Sequence, residues 1–214
     1  TAVTHKSNAI MPSIISQVTP SESSVIKRVA YEPMYLNHLR NNLSLKCVKK
    51  VSLHEPLTNI RKVLFVQLEK GTSRTEVWRA LNGASMLRAD SGKYVIAIDQ
   101  DIDPDNADSV FWALAYRANP IEDMQILPHR ARGHGPKAKD GPSEDSTLLI
   151  DATMKGDMPP LALPKKEYME HAKEIWERLQ LPSLTPQSPW HGYEMGHWSD
   201  DWEDGAVRAV QGFY

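Results

Sequence analysis

Residues 94–98, Tyr-Val-Ile-Ala-Ile, form an unbroken apolar run that stops at an acidic corner, Asp99-Gln-Asp-Ile-Asp-Pro-Asp105. The run is too short for a helix of its own, and without polar alternation it predicts a strand covered on both faces. Such a strand needs a sheet with helices on each side, which restricts the chain to an α/β layer architecture. After the corner, Asp103 or Asn106 can cap a helix, with Pro104 suited to its first turn. Val110, Phe111, Ala113, Leu114 and Ala115 make that helix apolar nearly all round, so it is expected to be buried.

The neighbouring segments extend this pattern. Lys62 to Glu69 reads as a second strand. Ser73-Arg-Thr-Glu76 has capping-box spacing ahead of a helix with Val77, Trp78 and Leu81 on its apolar stripe. Glu22 to Leu43 carries a helical pattern that Pro33 should end or kink near Tyr31. Val48 to Leu53 alternates weakly. Asp123 to Leu127 and Thr147 to Ala152 are short strand candidates. Between them, residues 128–146 are rich in Gly, Pro and charge and read as one long loop. Lys165 to Leu179 is an amphipathic helix through Tyr168, Ala172, Ile175, Trp176 and Leu179. Beyond Pro182, the aromatics Trp190, Tyr193, Trp198 and Trp202 stand in a tail with little core of its own, expected to dock on this domain or on a neighbouring subunit. The fold expected is thus a mixed or parallel sheet with flanking helices over residues 21–182, followed by an extended aromatic tail over 183–214.

Composition excludes several partner classes. Twenty-five basic and 27 acidic residues give a net charge of −2, so there is no electrostatic reason to expect nucleic acid or an anionic membrane as partner. No apolar run approaches the roughly 20 residues that span a bilayer. Cys47 stands alone, which rules out an internal disulfide and suits the cytoplasm. The first residues lack a signal-peptide pattern, and a start at Thr1 suggests a fragment or a processed chain.

The chemical motifs are incomplete. Asp99 to Asp105 imitates the opening of a calcium loop, but the sixth position is Pro104 instead of glycine and the twelfth is Val110 instead of an acid. Helix capping accounts for these acids better. Arg130 to Lys139 is the most basic stretch. Its glycines could bring amides to an anion, but it lacks Walker spacing, and a solvated loop is the competing reading. His191 and His197 form no zinc motif, and no nucleophile elbow is present.

The order of motifs resembles the carboxy-terminal half of a UbiD-family decarboxylase. The resemblance rests on residues 94–104, on Val-Phe-Trp-Ala-Leu-Ala-Tyr-Arg-Ala-Asn-Pro (110–120), on Val-Thr-His-Lys-Ser-Asn-Ala-Ile-Met-Pro (3–12) and on Leu-Leu-Ile-Asp-Ala-Thr (148–153). Tyr116 departs from the family's commoner Thr. The resemblance implies reversible decarboxylation of an aromatic or α,β-unsaturated carboxylic acid on prenylated FMN, with a divalent metal, often manganese, and potassium. The family's catalytic acids and metal ligands lie upstream of the Thr-His segment, so no catalytic or metal residue is assigned here, and this chain alone is expected to bind no cofactor. Residues 1–20 would end the flavin-binding domain, and the rest would supply oligomer contacts, as a dimer or hexamer, and one wall of the cleft. Ile10 or Met11 resembles the family's apolar substrate-side position, with an ordinary strand residue as the alternative. Arg88 sits near a basic position used toward the flavin phosphate, with an exposed surface arginine as the alternative. Leu127, Pro128 and His129 fall where the family has a loop that closes on substrate. A different class of reading is a non-catalytic α/β scaffolding subunit that holds a separate catalytic chain.

Overall fold

The computed structural model describes residues 5–8, 19–58, 61–133, 139–156, 158, 166–183 and 200–213. Ile10 and Met11 lie outside the described residues, as do Trp190, Tyr193 and Trp198 of the tail. A five-stranded mixed sheet organises the chain, with β1 (Val48–Leu53), β2 (Val63–Leu68), β3 (Tyr94–Asp99), β4 (Met124–Ala131) and β5 (Glu144–Ala152) in the order β1-β2-β3-β5-β4. Strands β2, β3 and β5 are parallel, and β1 and β4 run antiparallel along the two edges.

β3 is buried on both faces, as its continuous apolar run requires. Because side chains alternate along a strand, Val95 and Ala97 face one core and Ile96 and Ile98 the other. The first core is closed by α1 (Glu22–Asn37), by a π-helical turn at His38–Asn42 and by α2 (Arg74–Leu87). It packs Tyr35, Leu39, Val77 and Leu81 on the sheet. The second core is closed by α3 (Ala107–Arg117) through Val110 and Ala113. Among the described residues, helices α4 (Lys166–Arg178) and α5 (Asp200–Val210) make no substantial contact with the sheet. Tyr168 and Leu179 of the α4 stripe are exposed, as is Trp202 on α5.

Several expectations are corrected. α1 continues past Pro33 and does not end near Tyr31. Pro33 and Val29 are both exposed, so water can satisfy the carbonyl that loses its helical partner. α3 is not buried all round, because Phe111 and Tyr116 are about two-thirds exposed (67% and 66%). Its cap is Asn106, whose side chain accepts from the Ser109 amide, and Pro104 precedes the first turn. Residues 128–146 are not one long loop: β4 continues to Ala131 and β5 begins at Glu144. Pro128 is tolerated because β4 is an edge strand with a bulge there, and neither situation needs a proline N–H.

Candidate functional site

Two polar clusters lie at opposite edges of the parallel strands. At the carboxyl edge, β3 ends in Asp99, and α3 brings Arg117 back to it. The Arg117 side chain is fully buried, donating to Asp99 at 3.1 Å and to Asp101 at 2.6 Å. Its guanidinium also lies over the Trp112 ring, 5.0 Å from the centroid. The Met154 amide donates to Asp99 at 2.6 Å, and Lys155 pairs with Asp123 and Asp151 while donating to the Arg117 carbonyl. Burial is the largest influence on Asp99 and pushes its carboxyl up. The Met154 amide and Arg117 pull it down, Asp101 and Asp151 push it up, and the balance lies at about 6. Every buried charge here has a partner, so the cluster locks the acidic corner, α3 and the segment after β5 together.

The sequence-predicted residues gather at the other edge. Arg88 is the C-cap residue of α2. Its guanidinium donates to Asp90 at 3.2 Å and lies 5.1 Å from the centre of the Tyr31 ring. Burial alone would lower the Arg88 pKa, but the hydrogen bond and charge of Asp90 more than offset it and hold it above the ordinary value. Asp90 is pushed up by burial but pulled below the carboxylate range by Arg88 and Arg61. Leu127 packs against the first core from β4. Pro128 and His129 form the bulge, where His129 has a φ of +60° and an exposed side chain whose Nδ1 lies 2.7 Å from Glu144.

Arg130 joins these two groups. Its Nη2 donates to the carbonyl of Ser85 and, at 3.1 Å, to that of Arg88. Alongside it, Lys62 donates to the Arg132 carbonyl at 2.7 Å. Gly133, at a φ of +59°, lies so close to Asp90 that a Cβ would stand 2.7 Å from the Asp90 carbonyl oxygen. Backbone obstructs that position, so both space and conformation require glycine. Beside these contacts lies a shallow, solvent-open cleft lined by Lys62, Lys93 and Arg130 together with Asp90 and Asp145. Lys93 pairs with Asp145 at 3.0 Å.

The family described as "3-octaprenyl-4-hydroxybenzoate carboxy-lyase C-terminal domain" matches residues 24–152, more than half of the chain. The chain belongs to this UbiD family. A phenolic acid decarboxylase of Streptomyces sp. (strain D7) is 34% identical over 59 residues, covering 28% of this chain and 12% of that protein. The fold is also that of the UbiD-class enzyme HmfF from Pelotomaculum thermopropionicum in complex with FMN. That match has a TM-score of 0.58 and 23% identity, over 71% of this chain and 34% of HmfF. Vanillic acid decarboxylase of Sedimentibacter hydroxybenzoicus, in closed form, matches with a TM-score of 0.56 and 20% identity, over 74% of this chain and 34% of that one. The chain therefore spans about a third of the length of the solved relatives.

Within this UbiD domain, sequence reasoning placed Arg88 and residues 127–129 separately, and the fold brings them to one edge. It missed Arg117 and Arg130. Arg117 was hidden in a helix that reads as apolar. The only available signal was its position after the acidic corner, since a buried arginine needs carboxylates nearby. Arg130 was grouped with a basic loop, because nothing local announces a bulge without glycine.

Proposed function

We propose that this chain is the carboxy-terminal part of a UbiD-type decarboxylase acting reversibly on an aromatic or α,β-unsaturated carboxylic acid with prenylated FMN. In this reading the chain supplies one wall of the active-site cleft. The observation that carries it is the junction of the α2 carboxyl end with β4 through Arg130, beside a shallow, solvent-open cleft. The cleft is shallow and open to solvent, so it suits one wall of a site completed by other residues. Lys62 and Lys93 line this cleft, and Arg88, on Asp90 beside it, would meet an anionic group such as the flavin phosphate. Among the described residues no three His, Cys, Asp or Glu side chains converge as a metal requires. In this reading manganese and potassium are held by the amino-terminal flavin-binding part.

Prenylated FMN supplies the electron sink for loss of carbon dioxide when it is bound. Arg88 would face the cofactor phosphate, and Pro128 and His129 would face the substrate with Leu127 packed behind them, while Ile10 and Met11 would be added from the amino-terminal segment. Neither Arg88 nor His129 is assigned a proton-transfer role. The exposed stripes of α4 and α5 suit contacts between copies in a homo-oligomer, with residues 183–214 docking on a neighbour. A cytoplasmic location fits this reading, and no described helix is long and apolar enough to cross a membrane. The test is carbon dioxide release from a panel of cinnamic, hydroxybenzoic and furoic acids by the chain joined to its flavin-binding part and loaded with prenylated FMN. Turnover of at least one acid is expected, and failure with all of them by a fully loaded protein would overturn the proposal.

A further inference from the structure

We infer that Arg130 is a positioning residue, which holds Arg88 and the strand end 127–129 in one frame by capping α2 from across the cleft. The inference rests on the reading that those two groups face cofactor and substrate. α2 has no basic residue in its last turn, and its final carbonyls have no partners within the helix. Arg130 supplies the missing cation from another element. Its Nη2 donates to the Ser85 and Arg88 carbonyls and its Nη1 lies 3.7 Å from the Met86 sulfur. The Arg88 backbone is thereby fixed by Arg130, while the Arg88 side chain is fixed by Asp90 and Tyr31.

The bulge makes this contact possible. Between the pairs Leu127–Thr147 and Arg130–Asp145, β4 uses one residue more than β5. In a regular strand Leu127 and His129 would share a face. With the extra residue, Arg130 takes the face of Leu127, toward α2, and His129 is turned out to solvent. The left-handed conformation of His129 is thus the backbone cost of aiming Arg130. Lys62 on the Arg132 carbonyl and Gly133 against Asp90 hold the next residues to the same wall. A rigid connection follows between the α2 end and the β4 end, so a shift in one is passed to the other.

The test uses the chain joined to its flavin-binding part and reads FMN affinity by quenching of flavin fluorescence. The variants are Arg88→Met, Arg130→Met, Arg130→Lys and the double variant Arg88→Met/Arg130→Met. Val77→Ala, in the core of α2 away from the cleft, is the stability control. Arg88→Met is expected to weaken FMN about tenfold, the scale of one lost charge-assisted hydrogen bond. Arg130→Met should weaken it similarly and the double variant no further, because Arg130 acts through Arg88. Arg130→Lys should recover part of the loss, and Val77→Ala should lower stability without moving the affinity. If Arg88→Met weakens FMN while Arg130→Met does not, or if the two losses multiply, the inference is overturned and the reading of Arg88 stands. If Arg88→Met has no effect, the reading of Arg88 is overturned and the inference with it.

Discussion

Asp99→Asn should remove a slope from the pH dependence of folding. Asp99 is 2% exposed, and burial lifts its carboxyl from the ordinary 3.8 to about 6 against the pull of Met154 and Arg117. The folded chain therefore holds this proton more tightly than the unfolded chain. Between those two values folding takes up a proton, so stability falls as pH rises through the window and levels off above about 6. At about 1.4 kcal/mol for each tenfold change in proton affinity, the loss across the window is about 3 kcal/mol. Asn at this position cannot titrate, yet its carbonyl can still accept from Met154 and Arg117. Urea unfolding of both proteins at intervals from pH 4 to pH 7.5 provides the assay, read as the difference between wild type and variant. That difference cancels Asp90 and Asp145, whose lowered values put their contribution at more acidic pH, where it is lost as pH falls. The wild type should lose about 3 kcal/mol relative to the variant as pH rises. A flat difference, or a wild type that gains on the variant, would refute the account of the buried cluster.

Other outcomes follow from the packing. Gly83→Val should destabilise by about 2 kcal/mol or more, because even a Cβ there meets the Leu43 and Leu39 side chains; urea midpoints measure it. His129→Val should cost about 1–2 kcal/mol, since a β-branched residue resists a φ of +60°, whereas His129→Gly should stay near wild type. Removing residues 157–214 should leave the unfolding midpoint of the sheet body nearly unchanged, because α4 and α5 contribute little to its core, while reducing an oligomer to monomer by native mass spectrometry.

The parts of the fold legible in the sequence are those where burial and local periodicity agree. The run from Tyr94 reads as a central strand and is covered from Val95 to Ile98, and Ser73 caps α2 by accepting from the Glu76 amide as its spacing suggests. Where tertiary partners decide, the pattern misleads. Phe111 and Tyr116 extend the apolar appearance of α3 but face outward, while the charged Arg117 is buried alongside Val110 and Ala113. α1 runs on through Pro33 and β4 through Pro128, because each proline sits where a missing N–H costs little, on an exposed helix face and at an edge-strand bulge. The candidate site was legible as separate residues only. Its assembly depends on the register of β4 against β5, which a bulge at two non-glycine residues conceals.

The most direct test of the central claim is an FMN titration of this chain alone and of the chain joined to its flavin-binding part. Binding by the joined protein at one flavin per chain, with none by this chain alone, is the predicted result. Tight one-to-one binding by the isolated chain would contradict it.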